Sequence, residues 1–374
     1  MRIISYEYQD VSQTNWHFSP VTFGKMNLLV GGTSSGKTRL LHTIFNLGKF
    51  VAANEFKQGS WDLAFDTDSR KYHWKIRCET LENTPLVTSE HLFEITPDGE
   101  IPLIDRDPSH FVFGGKDLPK LPRNQPSIAL LADEDQIKPI YSGFTSIRRR
   151  HFDRDALERA AGFSTVPHGL VAEIKKKKDL DTFGKWDPPL SVTLSLLSEH
   201  FPPIYATICE HYKAIFPFIT DISIRDAAQI HPNMALPAKA PLFCIKEKSV
   251  DRWLPVPDLS SGMQKVLLIL TDLHVLPNGS IYLIDEYENS LGINAIEFLP
   301  TVFLSLEMDI QLFVTSHHPY LINRVPVANW YVFHRSGSSV RIKPGVELQQ
   351  KYGRSKQNAF IQLINDPFYL EGVE

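Results

Sequence analysis

Cysteine is scarce in this chain. Cys78, Cys209 and Cys244 are the three cysteines among 374 residues, and they lie far apart. That excludes a disulfide framework and a cysteine-only zinc site, and it fits a reducing compartment. Long apolar runs are missing as well. The longest aliphatic run, Val266–Leu270, falls far short of the ~18 residues a membrane span requires. The N-terminal Met1-Arg2-Ile3-Ile4-Ser5 lacks the apolar core of a secretory signal. No internal repeat, low-complexity tract or sustained heptad pattern is present, so long coiled-coil arms are not expected. Strong charge of either sign is also absent: 39 Lys plus Arg stand against 43 Asp plus Glu, a formal charge of −4. Such a balance argues against a surface that coats nucleic acid throughout, while leaving room for a local basic groove. The remainder is ordinary for a globular protein, 43% hydrophobic and 22% charged, and excludes wholesale disorder. The length suggests two domains or one large elaborated one. The expectation is a soluble cytoplasmic protein with no membrane partner.

The order of apolar patterns predicts an α/β fold. Ile3–Tyr8 and Trp16–Phe18 read as strands, and Met26–Val30 is a short apolar run ending at Gly31-Gly32. Leu40, Leu41, Ile44, Phe45 and Val51 then fall at helical spacing. Trp61–Phe65, Tyr72–Glu79, His91–Ile95 and Ile101–Asp105 are strand-like, separated by turns such as Pro97-Asp98-Gly99, which predicts an antiparallel meander. A Pro-rich connection, Leu118–Pro126, leads into a mostly helical stretch reaching about Phe216, with pieces at 155–161, Val171–Lys178 and Ser191–His200. Beyond Ile219 strands and helices alternate. Ile281–Ile284 and Gln311–Val314 are continuous apolar runs, as expected of a sheet covered on both faces, and Trp330–His334 with Val340–Lys343 read as a closing pair.

Four motifs carry chemistry. Gly31-Gly32-Thr33-Ser34-Ser35-Gly36-Lys37-Thr38 matches G-x-x-x-x-G-K-[ST] in full, between an apolar strand and a helix. Glycines let the loop curl so that successive N–H groups face phosphate oxygens. Lys37 is then placed to neutralise the β- and γ-phosphates and Thr38 to ligate Mg²⁺, with the helix N-terminus adding positive potential. Ile281-Tyr282-Leu283-Ile284-Asp285-Glu286 is an apolar strand ending in two carboxylates. Asp285 is a candidate to hold Mg²⁺ through water, and Glu286 to polarise an attacking water as general base. Leu259-Ser260-Ser261-Gly262-Met263-Gln264 precedes an apolar helix. Read alone it is a plain N-cap; with the P-loop it offers a hydroxyl and free N–H groups to an anion. Thr315-Ser316-His317-His318 follows the second apolar run, where His317 is able to hydrogen-bond a γ-phosphate.

In that order, these motifs resemble the ABC-type P-loop ATPases, in the soluble branch that includes RecF, SMC proteins, OLD-type ATPases and ATPase subunits of bacterial antiphage systems. The resemblance implies a P-loop ATPase core with an antiparallel β-subdomain and an inserted helical lobe. Residues 1–126 would be the first half of the core, 127–216 the helical lobe, 217–345 the second half, and 346–374 a tail. Asp285-Glu286-Tyr287-Glu288-Asn289-Ser290-Leu291 resembles the Walker B segment and D-loop. Glu286, His317 and Lys37 are implied as catalytic. Gly31, Gly32, Ser34, Ser35, Gly36, Lys37, Thr38, Arg39, Ser260 and Gly262 are implied as nucleotide contacts, and Thr38 and Asp285 as metal ligands. Gln125 is the preferred Q-loop glutamine, with Gln136 behind it. The family pattern is departed from at Ser34, where many relatives carry glycine, at Ser261, at His318, and at Gly292-Ile293, which replace a usual His-Pro.

The resemblance further implies ATP hydrolysis with Mg²⁺ in a head-to-tail dimer, Lys37 of one subunit facing Ser260 and Gly262 of the other. The cycle would switch or drive a DNA-related or antiviral defence effector. The short stretch after His317 leaves no room for a nuclease, so a separate protein, such as a nuclease, is the expected partner. Other readings are a nucleotide-gated scaffold with little turnover, a transporter ATPase subunit, disfavoured by the long separation of Lys37 from Asp285, and a phosphotransferase, which leaves the later motifs unexplained. Arg148-Arg149-Arg150-His151 and Lys175–Lys178 are candidate nucleic-acid contacts, although a run of like charge is more often a solvated face.

Overall fold

A computed structural model describes the chain except residues 13, 151, 153–163, 231–239, 306–308, 353–355 and 373–374. The helix expected at 155–161 lies outside the described residues. The chain divides into two compact units, one of Met1–Arg150, Asn278–Tyr287 and Glu307–Glu374, the other of His151–Pro277 and Glu288–Leu306.

The first unit is organised by one 14-stranded sheet. Its strands are β1 (Arg2–Gln9), β2 (His17–Thr22), β3 (Met26–Val30), β4 (Gly59–Thr67), β5 (Arg70–Leu81), β6 (Thr84–Thr96), β7 (Gly99–Arg106), β8 (Phe111–Phe113), β9 (Lys116–Asp117), β10 (Ile147–Arg150), β14 (Ile281–Ile284), β15 (Gln311–Thr315), β16 (Trp330–Ser336) and β17 (Ser339–Pro344). The spatial order begins β10-β14-β15-β3-β16, and all four of those pairings are parallel. Every residue of β3, β14 and β15 is buried, the pattern of strands covered on both faces. Helix α1 (Lys37–Ala53) turns Leu40, Leu41, Ile44, Leu47, Phe50 and Val51 inward. Each such side chain contributes about 1.5–3 kcal/mol on burial.

Strands β4 to β9 form the antiparallel meander. Their alternation is clear in β5, where Tyr72, Trp74, Ile76 and Cys78 point inward. The helix Lys138–Thr145 covers that face through Phe144, edge-on to Phe65 and Trp74 at centroid distances of 5.3 and 5.0 Å. Within 127–216 the chain is not uniformly helical. Ile147–Arg150 is extended and adds to the sheet beside β14. Pairing with a ready edge outweighs the weak strand propensity of three arginines. Three short helices, Gly345–Tyr352, Lys356–Ile364 and Pro367–Leu370, follow β17.

The second unit holds helices His168–Lys177, Leu190–His200, Pro202–Ile215, Ser261–Val275 and Ile293–Ser305. It also holds a three-stranded antiparallel sheet of β11 (Ile219–Asp226), β12 (Pro241–Glu247) and β13 (Leu254–Pro255). Tyr212 is fully buried, edge-on to Phe216 and Phe243, and its hydroxyl donates to Met263 O at 3.3 Å. It thereby ties two helices of this unit together. Among the described residues, no helix is long and apolar enough to cross a membrane.

A buried polar network locks the end of the meander. The Glu90 carboxylate accepts from Ser127 N and Oγ at 2.8 and 2.7 Å and from Trp74 Nε1 at 3.2 Å. Arg106 lies 3.6 Å from it and donates to the carbonyls of Pro122 and Gln125. Burial raises the Glu90 pKa and lowers that of Arg106, while each charge opposes the shift in the other. Arg106→Met is expected to lose about 3–5 kcal/mol by stranding a buried carboxylate. Urea melts should show the Glu90→Gln, Arg106→Met double variant losing less than the sum of the singles.

Candidate functional site

The P-loop runs from the end of β3 into α1. Gly31 approaches β16 so closely that a Cβ there would lie 3.0 Å from Phe333 Cβ and 3.2 Å from its carbonyl oxygen. Gly36 caps α1 with φ of 103°, a left-handed value suited to glycine. Ser34 also holds a left-handed φ, 66°, the physical reason glycine would suit its position. Its carbonyl accepts from Arg335 Nη1 at 3.1 Å. The Lys37 ammonium is buried and donates to Gly31 O at 2.9 Å, Gly32 O at 2.8 Å and Ser35 Oγ at 3.4 Å. Lys37 is thus drawn over the loop by the loop's own carbonyls.

Asp285, just past β14, meets this loop. Thr38 Oγ1 donates to Asp285 Oδ1 at 3.1 Å, and Thr315 Oγ1 donates to the same oxygen at 2.7 Å. Arg149, at the end of β10, donates from Nη2 to Asp285 Oδ2 at 3.3 Å. Parallel register explains the meeting: Thr315 lies opposite Leu29, Val314 opposite Ile284, and Arg149 opposite Leu283. Thr315 has a second task. Its hydroxyl accepts the Glu286 N–H at 2.7 Å and its carbonyl the Tyr287 N–H at 3.0 Å. Glu286 itself is exposed with φ of 47°, a conformation seldom adopted without glycine or an external hold.

In the second unit, Ser260 caps the helix Ser261–Val275, its Oγ accepting from Met263 N at 3.3 Å. Gln264 Nε2 donates to the Val256 and Leu259 carbonyls and fixes the approach to that cap. Gly262 sits against the backbone of Ser290 in its own unit. A Cβ there would fall 2.2 Å from Ser290 O, so glycine answers an internal packing need. Lys265 Nζ donates to Asn289 O at 3.0 Å, a second tie between that helix and the same segment.

Residues 175–323 match the family described as an AAA domain, putative AbiEii toxin, type IV TA system. The match spans Ser260, Gly262, Asp285, Glu286 and His317. Among solved structures, the chain is similar to the Smc head domain with an extended coiled coil bound to the C-terminal domain of ScpA, from Pyrococcus furiosus. Identity is 11% and the TM-score 0.50, covering 94% of this chain and 98% of that one. The SMC head domain of Thermotoga maritima aligns over 92% and 99% of the two chains at 12% identity and a TM-score of 0.41. No curated protein matches the sequence. The chain shares the fold of an SMC-head P-loop ATPase.

Within this fold His317 is exposed just past β15, and His318 caps the next helix, Pro319–Arg324, its Nδ1 accepting from Tyr320 N at 3.3 Å. Gln125 lies in the turn before Ser127, its carbonyl taken by Arg106 at 3.1 Å, and Gln136 is exposed. The strand beside β14 is β10, ending in Arg148-Arg149-Arg150.

That arginine run is not a solvated face. The Arg149 side chain is 5% exposed and paired to Asp285, so its charge is unavailable to an external phosphate backbone. Burial lowers the Arg149 pKa, and Asp285 opposes that shift. Lys175 to Lys178 are exposed at the C-terminal end of a helix, with Lys177 on Glu173 at 2.9 Å, where cations suit the helix dipole.

Sequence spacing gives no sign that Arg39 and Arg335 share a partner. Their guanidinium carbons lie 4.1 and 4.5 Å from the Trp16 ring centroid, beside Gly36, whose added Cβ would lie 3.4 Å from that ring. As metal donors, the Thr38 hydroxyl and Asp285 carboxylate are hard oxygens converging on one point, and they fit Mg²⁺, which keeps several waters and takes one or two protein ligands. Thr315→Val keeps the shape but leaves the Glu286 N–H without its acceptor. A loss of about 1–3 kcal/mol is expected in urea melts, with Thr315→Ser close to the wild type.

Proposed function

We propose that this chain binds ATP with Mg²⁺ and hydrolyses it to ADP and phosphate, and that the cycle switches an effector carried by another chain. One observation carries the reading: the P-loop Thr38 hydroxyl, in the first turn of α1, and the Asp285 carboxylate, just past β14, stand 3.1 Å apart. A glycine-built turn with a buried lysine beside that pair is suited to a polyphosphate and to little else.

In this reading the loop N–H groups and the α1 N-terminus hold the phosphates, and Lys37 exchanges its loop carbonyls for phosphate oxygens. Thr38 and Asp285 hold the Mg²⁺, which offsets phosphate charge when bound. Glu286 takes a proton from water as the water oxygen bonds the γ-phosphorus, and the bond from that phosphorus to the ADP oxygen breaks. Thr315 acts as a positioning residue, since it fixes the backbone of Glu286 and one oxygen of Asp285. His317 hydrogen-bonds the γ-phosphate. Ser260 and Gly262 complete the site of a second copy in a head-to-tail dimer. The Ser260 hydroxyl accepts one bond as a cap and keeps its own hydrogen to donate.

The effector reading, defence-related or DNA-related, draws on the family resemblance and on the toxin–antitoxin description of the matching family. A nucleotide-gated scaffold with slow turnover is the second reading, favoured by the Arg149 ion pair, which offsets the charge of the metal-binding carboxylate.

Lys37→Ala is expected to lose ATP binding in calorimetric titration, and unchanged affinity would remove the P-loop assignment. Glu286→Gln should keep ATP while hydrolysis falls ~10²-fold or more, and should accumulate as an ATP-dependent dimer on a sizing column. Wild-type phosphate release as slow as that of Glu286→Gln would favour the scaffold. Ser260→Arg should bind ATP yet not turn it over, and mixing it with Lys37→Ala should restore part of the activity. A mixture that neither dimerises nor hydrolyses ATP sinks the shared site.

A further inference from the structure

We infer that Arg149 is a built-in counter-ion that keeps divalent metal off Asp285 until nucleotide arrives, and that its buried Nε–H is then taken up by the bound anion. The inference deepens the ATPase reading and rests on it. Arg149 lies on β10 opposite Leu283, two residues before Asp285, so both side chains project from the same face of adjacent strands. Nη2 meets Asp285 Oδ2 at 3.3 Å, with side-chain exposures of 5% and 16%. The pair is therefore desolvated, where charge–charge interactions are screened far less than at the surface.

The pair is also incomplete. Arg149 Nε is buried, and among the described residues no acceptor lies within hydrogen-bond reach of it. A buried unsatisfied donor costs free energy as long as it stays so. That is the signature of a group made for an additional acceptor. Asp285 Oδ1 is already engaged by Thr38 and Thr315, which leaves Nε open to an acceptor from outside the chain. The anion that the neighbouring loop is built to hold is a nucleoside polyphosphate.

The electrostatic consequence is specific. Asp285 and the neighbouring Glu286 bring two negative charges, and Arg149 and Lys37 bring two positive ones. A divalent cation alone meets no net negative charge here. It meets one when a polyphosphate enters and supplies charge for both the metal and Arg149. Arg149 is thus a positioning residue, acting on metal through Asp285.

Mn²⁺ binding to the full chain without nucleotide, followed by loss of the free-ion EPR signal, tests this. Arg149→Gln should bind Mn²⁺ at least ~10-fold more tightly than the wild type, because the repelling charge is gone. Arg149→Lys, which keeps an amine beside Asp285, should bind Mn²⁺ less tightly than Arg149→Gln, and Asp285→Asn should bind none. Arg149→Gln binding no more tightly than the wild type overturns the counter-ion role. The second readout needs no variant fold. In ¹⁵N-arginine-labelled wild-type protein, the Arg149 Nε–H resonance, assigned by its absence in Arg149→Lys, should shift and exchange more slowly on adding a non-hydrolysable ATP analogue with Mg²⁺. Mg²⁺ alone should leave it unchanged. A resonance indifferent to the analogue overturns the anion contact, and it decides the matter if Arg149→Gln does not fold. Absence of any analogue binding by the wild type in calorimetry would mark failure of the ATPase reading itself.

Discussion

The first unit depends on how one carboxylate is held. Asp285 accepts from Thr38, from Thr315 and from Arg149, which come from α1, β15 and β10. No two of those elements adjoin in sequence. They converge because β10, β14, β15 and β3 run parallel and in register, so that their carboxyl ends line one crevice. A shift of one residue in any of the strands would turn the relevant side chain to the opposite face. The continuous burial of β3, β14 and β15 guards that register, because apolar side chains on both faces leave no alternative pairing that keeps them from water.

Two residues near that point carry backbone strain. Ser34 and Glu286 hold left-handed backbone conformations without being glycine, and each is fastened by a neighbour, Arg335 for the first and Thr315 for the second. Such conformations cost of order 1–3 kcal/mol apiece and persist only where their surroundings over-determine them. In the second unit the same economy applies to Gly262, which approaches the backbone of Ser290 and so links the helix Ser261–Val275 to the segment around Ser290. Lys265 secures that link with a hydrogen bond to Asn289.

The two basic runs show how little charge composition says by itself. Four consecutive lysines at a helix end stay in water, where their charge complements the helix dipole. Three consecutive arginines instead become an edge strand of the large sheet, and the side chain of the middle one is nearly fully buried. The planar guanidinium is more weakly hydrated than an ammonium and can form directed bonds to a carboxylate. Arginine therefore tolerates this position where lysine would be harder to desolvate.

Much of the fold was legible in the sequence because it rests on local rules. The glycine-rich loop between an apolar run and a helix, the alternation of β4 to β7, and the apolar runs of β14 and β15 are each written in a few adjacent residues. The candidate residues Lys37, Thr38 and Asp285 are likewise named by spacing and context, since their motifs are local. Tertiary structure alone decided what depends on register and long-range pairing. It made a strand of Ile147–Arg150, set Thr315 between Asp285 and Glu286, brought Arg335 to Ser34, and put Trp16 between Arg39 and Arg335. Periodicity reports which face a residue seeks, but not which strand will lie beside it, and a buried ion pair is determined by that neighbour.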